Sequence, residues 1–200
     1  MQHPNKLKRL PPSFFEQPTL ELAKALLGSI LIKETNDGTA AGIITETEAY
    51  IGPGDQAAHS YQNRRTKRTE VMFGLAGFTY MYTMHTHYLF NVVTGQADNP
   101  EAILIRSVEP YFNKELMQQR RPKARNDYQL TNGPGKLTKA LGIDMNDYGH
   151  PLHQKPLWIA KGELDAFTIA SGSRIGIDNS GEAKDYPWRF WIKGNRYVSR

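Results

Sequence analysis

The sequence predicts an α+β fold: a single domain with a curved, mostly antiparallel sheet, flanking helices and a protruding β-hairpin. Three observations carry this. Apolar and polar residues alternate with period two in several stretches, most clearly in Phe78-Thr79-Tyr80-Met81-Tyr82-Thr83, as strands require. Asn36-Asp37-Gly38 separates two apolar runs and is a hairpin turn signal,. Helical periodicity is confined to short stretches, and the 200 residues hold no internal repeat, low-complexity tract or clean linker, so one domain is the simplest reading.

Residues 1–12 read as a basic, proline-containing tail and 13–200 as the domain itself. From Ser13 the pattern turns helical. Pro18 lies near the start, Leu20, Ala23, Leu26 and Leu27 share a face, and Gly28 suits the stop,. A strand is expected over 29–34, and its return over about 40–48. On the return strand Glu46 and Glu48 point to one face and Thr45 and Thr47 to the other. Residues 51–77 form a long loop, a length that in a compact domain points to function or disorder. The run at 78–93 is long for one strand, so a sharp bend is expected near 84–86. Residues 102–110 are a strand that is apolar on both faces except at Arg106. A helix is expected near 111–119, followed by a basic stretch with Arg120, Arg121, Lys123 and Arg125. Residues 132–143 read as a glycine-rich turn feeding a short helix, and strands follow around 157–160, 173–177 and 189–194.

Twenty-five Lys and Arg stand against 20 Asp and Glu, a net charge of +5. That excess suits a polyanion partner or simply a solvated basic surface. Cysteine is absent, which removes disulfides, thiolate nucleophiles and cysteine metal sites. No run of 18 apolar residues occurs, so no membrane span is expected. MQHPNKLKRLPP lacks the apolar core of a signal peptide,, and the protein is expected to stay inside the cell.

Several groups can carry chemistry. Arg106, set among Ile103, Leu104, Ile105 and Val108, should be at least partly buried and then needs a carboxylate. Glu46 and Glu48 are the natural candidates. The pair is either structural, or it holds a catalytic carboxylate ionised and aimed. His85 and His87 form an HxH pair near which His59 can lie, and such histidines can ligate zinc, but no third ligand is obvious, and no metal or other cofactor is expected. Arg64, Arg65, Lys67 and Arg68 are a solvated cluster or a phosphate-contacting one. Tyr50, Tyr80, Tyr82 and Tyr88 are core residues or platforms for stacked bases. Gly133-Pro134-Gly135-Lys136 is a helix-entry turn that can also meet a phosphate.

Five segments in this order, FFEQPTLELAKALLG, ITETEAYIGPGDQAAHS, GFTYMYTMHTHYLFNVV, ILIRSVEP and NGPGKLTKALGI, resemble the alkyladenine DNA glycosylase family, the mammalian type of 3-methyladenine DNA glycosylase. The resemblance runs from about Ser13 to Ser199. It implies that Glu48 is the general base, that Tyr50 and Tyr82 stack on an extruded base, and that the surroundings of His59 contact it. Arg106 would hold Glu48 and the attacking water, and the main-chain carbonyl of Ile192 would help hold that water. Asn91, with Val92 as the competing position, would exclude normal purines by a clash with the guanine amino group. The family's mammalian members fill the gap left by the flipped nucleotide with a tyrosine at the hairpin tip. Here the tip is Thr83-Met84-His85-Thr86-His87, so Met84 or His85 takes that wedge role. Arg64, Arg65, Lys67, Arg68 and Lys136 would meet the DNA backbone.

The activity implied is that of a monofunctional DNA glycosylase of base excision repair. It acts as a monomer on duplex DNA and excises alkylated or deaminated purines by water attack at C1′. Glu46 would be the structural partner on the same strand. Two other classes compete: a non-catalytic nucleic-acid-binding module, which leaves Glu48 and Arg106 without purpose, and a metal-dependent hydrolase built on the three histidines.

Overall fold

Thirteen consecutive residues, Gly38–Tyr50, form the strand (β2) around which the rest of the molecule is built. The computed structural model describes residues 2–162, 164 and 166–199. Ahead of β2 come a short 3-10 turn at Pro12–Glu16, helix α1 at Thr19–Ala25 and strand β1 at Ile30–Thr35. Gly28, in the left-handed region at φ 83°, follows the end of α1 and hydrogen-bonds to the Ile44 carbonyl. The helical pattern from Ser13 is thus interrupted at Gln17 and Pro18, both extended, which leaves a 3-10 turn and a two-turn helix. Pro18 lacks the N–H that would continue the first turn and disfavours helical backbone at the residue before it.

β2 is followed by the long loop, which contains only 3-10 turns at Gly52–Gly54, Tyr61–Asn63 and Glu70–Phe73. Strands β3 (Thr79–Met84) and β4 (His87–Thr94) form the hairpin, with His85 at φ 53° in its turn where the bend was expected. Strand β5 spans Glu101–Phe112. It outlasts its predicted end, so helix α2 begins only at Lys114 and runs to Arg120, capped by the Asn113 side chain. Helix α3 (Pro134–Leu141), strands β6 (His153–Gln154), β7 (Leu157–Ala160), β8 (Ile169–Gly172) and β9 (Arg189–Ile192) complete the chain. One expectation fails here. The strand placed at 173–177 lies at 169–172, and 173–177 is irregular, with Gly176 at φ 78°.

The strand order is β3-β4-β5-β2-β1-β7-β6, all antiparallel pairs, and β9 pairs with both β2 and β8. β5 runs along one side of β2. On the other side the partner changes from β1 (up to Ile43) to β9 (from Glu46). At that change the β2–β5 register slips twice. β2 carries one extra residue, Thr45, between the Ile44–Val108 and Glu46–Ser107 pairs. β5 then carries one extra residue, Arg106, before the Thr47–Ile105 pair. Such bulges bend a sheet and re-aim a side chain. The sheet curls accordingly, and Arg106 is turned toward the glutamates.

One face of the sheet holds the main core, with Leu22, Ala23 and Leu26 of α1 and Leu137, Ala140 and Leu141 of α3 against Ile44, Ile103, Ile105 and Val108. Each buried leucine contributes about 1.5–3 kcal/mol. A smaller cluster on the other face gathers Leu7, Ile30, Ile32, Ala41, Trp158 and Ala160. The N-terminal segment is therefore anchored in part. Leu7 and Leu10 are buried and Arg9 bridges to Ala160. In the second basic stretch Arg120 and Arg121 are engaged within the fold. Arg120 donates to the Ala140 and Leu141 carbonyls at the end of α3, and Arg121 to the Gln129 carbonyl.

Candidate active site

The end of β2 runs into a cavity of about 440 Å³ lined by Tyr50, His59, Tyr80, Tyr82, Asn91 and Arg106, with one wall from residues 175–180 and Met84 at its rim. Glu48 lies directly beneath this lining with no solvent exposure. Its Oε1 accepts the Ile175 backbone N–H at 2.7 Å. Its Oε2 accepts from the Tyr50 hydroxyl at 2.9 Å and from Arg106 Nη1 at 3.2 Å. Burial pushes the Glu48 carboxyl above its ordinary pKa, against the opposing pull of Arg106, the Ile175 N–H and the Tyr50 hydroxyl. Tyr50 is pushed well above 10 by burial and by the adjacent Glu48, so it donates rather than accepts,.

Glu46 sits one pleat away, also fully buried. It accepts from Arg106 Nε and Arg189 Nη1, both at 3.1 Å, from the Ser107 hydroxyl at 3.2 Å, and from Ser199 through its backbone N–H and its hydroxyl at 2.6 and 2.9 Å. Arg106, 7% exposed, thus spans both carboxylates. One of its nitrogens serves Glu46, another the glutamate beside the cavity.

The aromatic side of the cavity is tightly coupled. Tyr80 and Tyr82 stack with centroids 5.7 Å apart, and His59 meets Tyr82 edge-on at 4.6 Å. A hydrogen bond of 2.8 Å joins His59 Nδ1 to the Tyr80 hydroxyl. Burial, reinforced by Arg68 and Arg64, lowers the His59 pKa to about 4, so its ring is neutral at pH 7. Burial raises Tyr82 to about 12. Asn91 lines the cavity, its Nδ2 donating to the Tyr80 carbonyl at 3.1 Å. Its competitor Val92 is buried in the main core.

Other expected residues lie elsewhere. Ile192 is not brought to the cavity; its carbonyl accepts the Asn195 N–H. β9 reaches Glu48 through Arg189, three residues earlier. The backbone that does reach Glu48 belongs to Ile175, in the irregular segment expected to be a strand. The signal available was Arg174-Ile175-Gly176, a glycine suited to a left-handed turn inside an apparent alternation. Among the described residues no three His, Cys, Asp or Glu side chains gather as metal ligands. His59 is engaged with Tyr80, whereas His85 and His87 belong to the hairpin tip.

The hairpin tip leans on the start of α3. A Cβ on Gly135 would come within 2.6 Å of the His87 side chain, and Thr138 donates to the Tyr88 carbonyl at 2.8 Å. Met84 is 47% exposed, at the junction of the cavity and a small groove that His85, His87 and Lys136 help line. Lys136 Nζ donates to Asn132 Oδ1 at 2.8 Å. In the basic loop Arg65 is paired with Glu70 and Asp98 and lies over Phe73. Arg64, Lys67 and Arg68 are exposed.

The chain that builds this sheet and cavity matches, over residues 13–196, the family model described as methylpurine-DNA glycosylase. The chain belongs to that family. Similar proteins are provisionally named 3-methyladenine DNA glycosylases. One from Bacillus licheniformis is 64% identical over 191 residues, covering 96% of each chain. One from Bacillus subtilis is 60% identical over 191 residues, with the same coverage. One from Oceanobacillus iheyensis is 52% identical over 200 residues, the whole of both chains. As a methylpurine-DNA glycosylase family member the chain is a DNA glycosylase, a hydrolase of N-glycosidic bonds in DNA repair, and DNA is its substrate. The reading as a purely binding module falls with that membership. No described helix is long and apolar enough to cross a membrane.

Proposed function

We propose that this glycosylase excises alkylated and deaminated purines from duplex DNA by a monofunctional mechanism in which Glu48 activates water. The observation that carries it is the floor of the cavity. Glu48 is held by Arg106, Tyr50 and Ile175 beneath a space with ample room for a purine, and among the described residues no lysine lines that space. The extruded purine stacks between the aromatic groups of Tyr50, Tyr82 and His59. Water gives a proton to Glu48 and its oxygen bonds to C1′, while the C1′–N bond breaks and its electron pair leaves with the base. The transition state is oxocarbenium-like, and the buried carboxylate stabilises its positive charge. Bases carrying a positive charge leave readily, whereas neutral deaminated ones need hydrogen bonds from the pocket. Asn91 discriminates against guanine by crowding its amino group.

The same reading gives Met84 the wedge role in preference to His85, because Met84 is apolar, half exposed and at the cavity rim. Arg64, Lys67 and Arg68 meet phosphates. Arg65 does so only by releasing Glu70 and Asp98, and Lys136 by releasing Asn132. The enzyme works as an intracellular monomer.

The test is a panel of duplexes, each with one lesion, incubated with the enzyme in the presence and absence of borohydride. The expected result is free damaged base, an intact abasic strand and no covalent adduct. An adduct trapped in good yield, or strand nicking at the rate of base release, would replace water by an amine nucleophile and end the role given to Glu48.

A further inference from the structure

Behind the cavity lies an ion pair that the proposed chemistry does not use. The side chains of Asp55 and Arg174 have no solvent exposure. Arg174 Nη1 donates to Asp55 Oδ2 at 2.5 Å and to the Ala49 carbonyl at 2.9 Å. Its Nη2 donates to Asp55 Oδ1 at 2.8 Å and to the Ala183 carbonyl at 3.1 Å. Asp55 also accepts the backbone N–H groups of Ile51 at 3.2 Å and Ala57 at 3.0 Å. The guanidinium carbon of Arg174 lies 4.6 Å from the centroid of the Tyr50 ring and 5.1 Å from that of Trp188. Neither Asp55 nor Arg174 lines the cavity.

Desolvating such a pair is costly, and apolar residues of equal volume often hold a fold as well. Apolar residues would not, however, tie three backbone segments together by directed hydrogen bonds. Here those segments are the end of β2, the 51–57 turn and the 174–183 loop. Each supplies a wall or a partner of the site: Tyr50 from β2, Ala57 and His59 following the turn, and residues 175–180 from the loop. The loop also meets the turn at its far end. Gly181, at φ 56°, lies so close to Gln56 that an added Cβ would collide with its Oε1.

We infer that Asp55 and Arg174 are a positioning pair that sets the Ile175 N–H on Glu48 and fixes the Tyr50 ring against the substrate base. Arg174 immediately precedes Ile175, so the bidentate grip on Asp55 fixes the direction of the very next N–H, 2.7 Å from Glu48 Oε1. The inference rests on the reading of Glu48 as general base.

The test uses Arg174→Lys, Asp55→Asn and Gly181→Ala in the full chain. Arg174→Lys keeps the charge but loses the fork and the stack. Gly181→Ala strains the loop backbone at a left-handed position, φ 56°, without touching the pair. Single-turnover base release from a lesion duplex is followed against pH, beside the Tm of each variant. Arg106, Glu46, Tyr50 and Tyr82 act electrostatically on Glu48, and Arg189 lies opposite it on β9; none of the five is substituted. The Ile175 N–H favours charged Glu48, and the base works deprotonated. Loosening that bond therefore moves the acid limb of the rate to higher pH, by about one unit, and lowers the plateau by about tenfold or more. A merely structural pair lowers Tm and leaves the acid limb of the folded enzyme where it was. That result, in whichever of the three variants fold, would overturn the positioning role. Glu48→Gln is measured alongside: full excision by that variant would instead refute the reading of the base.

Discussion

Glu46 and Glu48 stand two residues apart on one strand, equally buried and joined by one guanidinium, yet their surroundings differ in kind. A carboxylate offers about four lone-pair sites. Five donor groups reach Glu46, from Arg106, Arg189, Ser107 and twice from Ser199. Glu46 is saturated, and all of its donors belong to the fold. Three donors reach Glu48, and each comes from a residue that lines the cavity. Those three fill fewer than the four sites. The difference teaches that burial alone does not make a catalytic carboxylate. What separates the proposed base from the brace is an incomplete set of donors, all of which line a space that a substrate can enter.

The strongest way to break this comparison is Glu48→Gln. Excision should fall by at least about 10²-fold, the range for loss of a general base, with duplex binding retained. Excision near the native rate would hand the role elsewhere and erase the contrast. The same variant sharpens the contrast through stability. Because the native pKa of Glu48 is raised above its unfolded value, its contribution to stability is complete below the unfolded pKa and declines as pH rises through the native one. Glu48→Gln removes that decline and should be at least as stable as the native chain at pH 8 by urea unfolding. Glu46→Gln should do the opposite, losing about 2–3 kcal/mol because buried donors lose their charged acceptor. Equal and same-signed shifts in the two variants would mean that the two niches are equivalent.

Smaller effects test the periphery. Met84→Ala should slow release from a paired duplex by about tenfold and from an unpaired lesion much less, since unstacking costs little there; His85→Ala should do less on both. Equal losses on the two substrates would deny Met84 the wedge role. Neutralising Arg64, Lys67 and Arg68 should make the salt dependence of binding shallower, by about one unit for each phosphate that is no longer neutralised. Arg65→Gln, already paired with Glu70, should change the slope least.

Much of this was legible because period and charge speak locally. The alternation around Tyr80 and Tyr82 and the sixteen-residue run pointed to the hairpin and its bend. A lone arginine amid isoleucines demanded a carboxylate, and only one strand offered two. What stayed illegible depends on pairings made far along the chain. The double bulge at Thr45 and Arg106 arises because β2 changes partners from β1 to β9, which no local pattern encodes. Ser173-Arg174-Ile175-Gly176-Ile177 alternates like a strand, but Arg174 is drawn to Asp55 and leaves the sheet.

The donors that finish the floor come from far down the sequence. Ile175 lies 127 residues beyond Glu48, and Ser199 lies 153 residues beyond Glu46. Closing loops of that size carries a large entropic cost that local structure cannot offset early. The hairpin and the β1–β2 pair can form from neighbours alone, but Glu48, the proposed base, cannot be poised until the late segments have docked. Hydrolytic competence is thus an all-or-none property of the finished fold. A chain caught half-folded on DNA has aromatic walls and positive charge, but no poised base with which to cut a glycosidic bond.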